Sequence, residues 1–439
     1  NLTNNGTIDW QDGTIAFYNS PVITNNGLWN ITGNSNTSLG NSYGNITNSS
    51  TGTITKSSTG TTTFTYASPF NNSGTINFNG GTAAFGGLGT TTITNTGALA
   101  FGGGAMIIQN GTTFNYNTGS TVSGAGAFTN NASLQLNTDV VFPASLIFAN
   151  SATINGPGNL TINNDFTIQG QITGPGIMTI NANSTWISGS LYRFLTVDAS
   201  KTLTINQNDH KYLGASLTNN GTMDWQAGNI LFLNSPVITN TGLWTITTSS
   251  AFGAYNFTQA NITNTGTITK SGVNTASFFD ITTFLNNGTV NCNGGAFRMV
   301  TSGSTFDNNG TLSFIGCQFL GESGVVFNHN PNAIIKGSGT FRMYSLFTNN
   351  GIIAPGASPG ILAINWIPQP FSANSIVDIA VLDNSGPRTG HDQITRTDGG
   401  AMSLAGTLNV TESPGVAPGT FTIITSSTST FSTINLPAC

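Results

Sequence analysis

One signal recurs along this chain at a near-constant interval: an asparagine, one small or polar residue, a glycine, then a short run of alternating character. It reads Asn4-Asn5-Gly6-Thr7-Ile8-Asp9-Trp10 and again Asn25-Asn26-Gly27-Leu28-Trp29. It returns at Gly52-Thr53-Ile54, Gly74-Thr75-Ile76-Asn77-Phe78 and Gly97-Ala98-Leu99. The glycines at 6, 27, 52, 74 and 97 are separated by 21, 25, 22 and 23 residues. The same signal marks Gly221, Gly242, Gly266, Gly288 and Gly310, separated by 21, 24, 22 and 22, and Gly351 follows 41 later, about two periods. A repeat near 22 residues is the signature of a solenoid, in which each repeat is one coil that cannot bury its apolar face alone.

A longer duplication lies over the short period. Leu2-Thr3-Asn4-Asn5-Gly6-Thr7-Ile8-Asp9-Trp10 matches Leu217-Thr218-Asn219-Asn220-Gly221-Thr222-Met223-Asp224-Trp225, and Asn19-Ser20-Pro21-Val22-Ile23-Thr24-Asn25 matches Asn234-Ser235-Pro236-Val237-Ile238-Thr239-Asn240, both at offset 215. Gly52-Thr53-Ile54-Thr55-Lys56-Ser57 matches Gly266-Thr267-Ile268-Thr269-Lys270-Ser271 at offset 214.

The period and the residue types predict an all-β, right-handed parallel β-helix. A coil of about 22 residues holds two or three short strands joined by turns. Successive side chains of a strand point to opposite faces, so Ile8 and Trp10 share one face and Thr7 and Asp9 the other. Ile54, Ile76, Leu99, Met223, Ile268, Val290 and Leu312 take the place of Ile8 in their repeats. Coils stacked at roughly 4.8 Å lay these side chains over one another as a core ladder. Parallel crossovers are right-handed almost without exception. Turn glycines are expected to supply positive φ, and stacked asparagines to hydrogen-bond in ladders.

Four regions follow: a repeat block over 1–138, less regular coils over 139–215, a duplicate block over 216–353, and a terminal β module over 354–439. The second region carries Gly156-Pro157-Gly158 and Gly174-Pro175-Gly176, only 18 apart, which points to shorter coils or a kink. The repeat regions to residue 353 accommodate roughly 16 coils. Beyond Gly351, Ala354-Pro355-Gly356-Ala357-Ser358-Pro359-Gly360 is a junction. The strands after it, within Ser375 to Leu382, Ala401 to Val410 and Thr420 to Thr425, are expected to cap the last coil.

Composition narrows the function. Charged residues are only 6% of the chain, against roughly a quarter in average proteins. With 37% hydrophobic residues the chain still has a core to bury, so order is expected. Ten basic residues and a net charge of −5 exclude a nucleic-acid footprint. No apolar run reaches the roughly 18 residues that span a bilayer. The chain opens in mid-repeat and reads as part of a longer secreted product. Three cysteines exclude a complete disulfide framework. They leave open a Cys292–Cys317 bond and a partner for Cys439 outside this chain or in another copy.

Ala354 to Gly360, His391-Asp392-Gln393-Ile394, Leu404-Ala405-Gly406-Thr407-Leu408-Asn409-Val410 and Gly419-Thr420-Phe421-Thr422-Ile423-Ile424 resemble the end of a bacterial secreted β-helix passenger. The likeness is to autotransporter-like and Bacteroidetes-type surface repeat proteins. The Asn-Asn-Gly-Thr-Ile-x-Trp coils resemble the same families, which include filamentous-haemagglutinin-like adhesins. The resemblance implies a β-helix, export across the envelope and life at the cell surface.

Candidate chemistry is sparse. β-Helical lyases and hydrolases need clustered carboxylates with a basic partner or calcium. The 15 acidic residues here are mostly isolated. Asp9 and Asp12 share a repeat, but Asp12 has Ala227 at its duplicate position, whereas Asp224 repeats Asp9. The densest charge is Asp378, Asp383, Arg388, His391, Asp392, Arg396 and Asp398, read as solvated loop around a strand entry at His391. His210 and His329 read as surface or turn residues without a nucleophile nearby. Trp10 and Trp225 read as core. Trp29 and Trp244 adjoin Leu28 and Leu243, so one of each pair faces outward. Thr-rich runs such as Thr61-Thr62-Thr63 lack the uniform register of an ice-binding face.

These observations lead to the expectation of an extracellular, non-enzymatic structural protein. The chain would serve as a fibre subunit or adhesin stalk that associates head to tail with its own copies and needs no cofactor or metal. A lateral face that binds cell-surface glycans is the alternative, and a polysaccharide lyase or hydrolase is third.

Overall fold

A computed structural model describes residues 1–33, 37–38, 42–253, 258–356, 359–366 and 371–437. Every regular element among them is a β-strand, and the fold is a parallel β-solenoid of about 19 coils of roughly 22 residues. The chain forms two compact units, Asn1–Thr204 and Ile205–Cys439.

In the first unit one column of parallel strands runs Leu2–Asn4, Val22–Asn25, Gly44–Asn48, Ala67–Asn72, Thr91–Asn95 and Thr112–Tyr116. A second runs Thr7–Trp10, Leu28–Ile31, Thr53–Lys56, Thr75–Phe78 and Ala98–Ile108. Register sets Ile8 beside Trp29, Trp29 beside Ile54, Ile54 beside Ile76 and Ile76 beside Leu99. Ile8 is half-buried and the other four are buried.

The second unit repeats the pattern. Met223, Trp244, Ile268, Val290, Leu312, Ile335 and Ile353 pair in unbroken register, all buried. Its second column holds an eleven-residue strand, Thr311–Gly321, as the first unit holds Ala98–Ile108. In each, a bulge carries the strand around a corner onto the next face. All four of Trp10, Trp29, Trp225 and Trp244 face the core, so Leu28 and Leu243 are the outward members of their pairs.

The coils between the repeat blocks are shorter. Val140 pairs with Leu160, Leu160 with Met178 and Ile177 with Phe194, giving steps of 20, 18 and 17 residues. After Gly351 the strands still pair in parallel, and the only antiparallel contacts among the described residues are isolated bridges, Gly337 to Gly356 and Val381 to His391. Ile353 registers with Val377, Val377 with Leu408 and Leu408 with Ile434. The shorter coils and this continuation account for more coils than the roughly 16 expected for the repeat regions alone. Of the expected terminal strands, the first two appear as Ile376–Val381 and Thr407–Glu412. Thr420 to Thr425 contributes only a bridge from Ile424 to Ile394.

The expectation for the turn glycines needs correction. None of Gly6, Gly27, Gly52, Gly74, Gly97, Gly221, Gly242, Gly266, Gly288, Gly310 and Gly351 has positive φ. The constraint is space. A Cβ on Gly97 would strike the carbonyl oxygen of Gly74, and one on Gly310 that of Gly288. Gly27, Gly74, Gly242, Gly266 and Gly288 meet the preceding repeat glycine in the same way. Glycine recurs because backbone passes directly over backbone.

The asparagine two residues before the glycine, or four before it in the case of Asn48 and Gly52, forms the expected ladder inside the bend. Asn4 Nδ2 donates to Asn25 Oδ1 at 2.7 Å, Asn25 to Asn48 at 2.8 Å, Asn48 to Asn72 at 2.7 Å and Asn72 to Asn95 at 2.7 Å. In the second unit the amides of Asn219, Asn240, Asn264, Asn286 and Asn308 link at 2.7, 2.7, 2.8 and 2.7 Å. Most of these amides also serve backbone. Asn25 Nδ2 reaches the carbonyls of Gly27 and Thr53, both at 3.1 Å. Asparagine suits the position because one amide both accepts and donates, so the chain of bonds repeats without end.

His329 takes the next ladder position. It is fully buried, which corrects the reading of it as a surface or turn residue. Its Nδ1 lies 3.1 Å from Asn308 Nδ2 and its Nε2 lies 3.0 Å from the carbonyl of Ile352. Burial pushes its pKa down to about 4 against the bond to Ile352. His210 is exposed, as expected.

Several cations are also buried, each on backbone carbonyls. Arg193 Nη1 and Nη2 donate to Gly158 and Gly156 at 2.5 and 2.6 Å, and Nη2 and Nε reach Thr173. The arginine thus holds the first Gly-Pro-Gly turn, and burial brings its pKa down to about 10. Lys56 and its duplicate Lys270 stand at inward positions and cap the carbonyls of Ser58 and Ser271, both at 2.6 Å. Cys292 and Cys317, both buried, form a disulfide. Cys439 lies outside the described residues.

Candidate functional site

The acidic residues named from sequence are dispersed on this scaffold. Asp9 accepts from Asn30 and Asp224 from Thr245, each across to the neighbouring coil. Asp12 accepts from Gly13 N, and Asp378 from Asn409. Asp383 and Arg388 are exposed.

The His391 region departs from the solvated loop expected of it. His391, Asp392 and Gln393 are all buried. Asp392 accepts from Gly360 N at 2.8 Å and Ala380 N at 2.9 Å, so it ties two segments together. His391 has both ring nitrogens buried without a partner and packs edge-on against Phe421 at 5.4 Å. Among the described residues no group of three His, Cys, Asp or Glu side chains could hold a metal ion.

A concentration of polar and aromatic groups lies on a lateral face of the second unit. The face is built by the strands Thr275–Phe278, Ala296–Met299, Thr311–Gly321, Ile334–Met343 and Ile361–Asn365. Phe297, Phe319 and Phe341 point inward and stack at 5.6 and 5.4 Å, which fixes the faces of three successive coils. The residue after each of them then points outward. Register therefore aligns Ser277, Arg298, Leu320, Arg342 and Asn365 in one column. Glu322, Tyr344 and Trp366 follow the ends of these strands.

The electrostatics of the face are uneven. Arg298 Nε pairs with Glu322 Oε1 at 2.7 Å. Arg342 has no carboxylate partner among the described residues, and its Nε is buried without a hydrogen bond. Its guanidinium lies over the Tyr344 ring at 4.4 Å and 5.5 Å from the Trp366 ring. Tyr344 and Trp366 are 5.6 Å apart, tilted by 33°, and exposed at 40% and 49%. An open groove of about 480 Å³ lies alongside, lined by Ser277, Arg298, Glu322, Arg342 and Tyr344 among others.

Trp366 is held in an uncommon state. Its φ is +65°, in the left-handed region where a bulky side chain costs of order 1 kcal/mol or more. Asp398 secures it by accepting from the Trp366 backbone N–H, while Arg396 Nε bonds Asp398 at 2.6 Å. Burial opposes ionisation of Asp398. The bonds from Arg396, Gly400 and Trp366 and the arginine charge outweigh it and hold the carboxyl at about 2. Asn365 is tied to Thr397 by two bonds at 3.0 Å. The sequence reading passed over this face, although Glu322, Tyr344 and Trp366 are spaced 22 apart, one coil each.

No protein-family profile matches the chain, and no curated protein matches it by sequence.

Proposed function

We propose that this chain is an extracellular structural protein, a fibre element or adhesin stalk whose work is to hold distance and present a surface. The observation that carries this reading is the buried amide ladder. From Asn4 to Asn95, and from Asn219 to Asn308, each coil is bonded to the next by side chains as well as by strand pairing. Each such bond contributes about 1 kcal/mol net, and the bonds repeat along the stacking direction, where tension on a stalk acts. The Cys292–Cys317 bond favours an oxidising compartment outside the cytosol. The nearly uncharged but ordered surface and the resemblance to secreted β-helix passengers support the same placement. The terminal strands after Gly351 fit a cap as part of this proposal.

Single-molecule pulling from the two ends tests the reading. A stalk should resist and then yield in steps, each coil of 22 residues releasing roughly 75 Å of chain. Extension at low force without steps would remove the structural reading.

A further inference from the structure

We infer that the lateral face around Arg342, Tyr344 and Trp366 is a binding site for a carboxylate-bearing polysaccharide. The inference goes beyond the stalk reading and stands independently of it.

Three observations converge. First, Arg342 is a half-exposed cation that has no counter-ion among the described residues, and its buried Nε has no acceptor among them. The Nε itself is shielded from a ligand, but a half-exposed planar guanidinium matches a carboxylate with two parallel bonds from its outer nitrogens. Second, Trp366 is kept exposed in a strained backbone conformation by the Asp398–Arg396 pair. Trp10, Trp29, Trp186, Trp225 and Trp244 are buried, which leaves Trp366 as the one exposed tryptophan of six. Strain that the surroundings maintain points to use. Third, Arg298 is already neutralised by Glu322, so the face offers one free positive charge beside a hydroxyl acceptor rather than a broad basic patch.

That combination selects the ligand. The apolar face of a pyranose ring stacks on an aromatic side chain, as in other Trp and Tyr platforms where one end is apolar and the other wet. Its hydroxyls suit Glu322 and Ser277, and a ring carboxylate suits Arg342. Coils recur every 4.8 Å or so, close to the step of a sugar chain, so a polysaccharide lying along the stack can place successive rings on successive coils. A nucleic acid would need many more cations than this face holds.

The test is fluorescence titration and affinity electrophoresis of the full chain with polygalacturonate, alginate, hyaluronate and polysialic acid. Carboxyl-reduced polygalacturonate, neutral dextran and polyglutamate serve as comparisons. At least one acidic polysaccharide should quench or shift the Trp366 emission saturably, with dextran, the reduced polymer and polyglutamate binding at least about tenfold more weakly. Arg342→Gln should weaken binding by about tenfold or more, and Arg342→Lys by less. Trp366→Ala should remove the optical change and lower retardation in the gel, with circular dichroism unchanged. No binding to any of the four polymers, equal binding of polyglutamate, or wild-type affinity in Arg342→Gln and Trp366→Ala would each overturn the assignment.

Discussion

Asn308 Nδ2 lies 3.1 Å from His329 Nδ1, and this contact fixes the tautomer of a buried histidine. Asn286 donates to Asn308 Oδ1 at 2.7 Å, so the Asn308 NH₂ must face His329. Nδ1 therefore accepts, and Nε2–H donates to the Ile352 carbonyl at 3.0 Å. Protonating Nδ1 would set two donors against each other inside the ladder.

A pH dependence follows. The folded pKa of His329 is held at about 4, below its ordinary 6.5. Between these values the unfolded chain binds the extra proton and the folded chain does not. Stability is complete above about 6.5, falls as pH drops toward 4, and levels below that, for a total loss of about 3 kcal/mol. Urea unfolding at pH 7.5 and 4.5 measures it. His329→Asn should continue the ladder and remove this component; an unchanged pH dependence in that variant would refute the assignment.

The repeat glycines yield a steric prediction. Gly97→Ala should cost about 2 kcal/mol or more, because the new methyl meets the Gly74 carbonyl and the two backbones cannot part without breaking the register. Gly97→Asn should be at least as harmful, although asparagine tolerates left-handed backbone well. Gly303 is the contrast, with φ of +87° and nothing within 4 Å of its missing Cβ. There Asn should be tolerated better than Ala. Thermal melts of the four variants separate space from backbone conformation as the reason for glycine.

The repeat was legible because every coil solves the same problem with the same residues. An Asn-x-Gly bend and an alternating strand identify both the amide ladder and the Ile54, Ile76 and Leu99 column. The role of glycine was misread because sequence does not distinguish a positive φ from a close approach. Lys56 and Lys270 are charged, yet each occupies an inward position, between Ile31 and Phe78 and between Ile246 and Cys292. Their retention at matching positions in the duplicated blocks was the available clue. The Arg342 face was harder to see because residues far apart in sequence meet only through stacking, and Trp366 is presented by a backbone conformation that no local pattern encodes.

Arg193 should matter more than a surface cation. Replacing it with Met leaves the carbonyls of Gly156, Gly158 and Thr173 buried without their donor. The expected cost is about 3 kcal/mol or more, concentrated in the short coils. Hydrogen exchange should show faster exchange over residues 154–180 in Arg193→Met, with the first repeat coils unchanged. Uniform exchange across the first unit would mean that the arginine does not hold this turn.

The Cys292–Cys317 bond ties the strand Thr289–Cys292 to Thr311–Gly321 across one coil step. Its closed loop spans 25 residues of sequence, which in the chain-entropy account corresponds to about 3.5 kcal/mol. Both sulfurs are buried, so in the folded protein they should resist reductant and alkylating agent alike. Unfolded without reductant, the two cysteines should still refuse alkylation; unfolded with reductant, both should react. The Cys292→Ala/Cys317→Ala variant should melt lower than wild type, and added reductant during unfolding should lower the wild-type transition while leaving the variant's in place. Full alkylation of Cys292 and Cys317 in the unreduced, unfolded chain would show that the bond does not form.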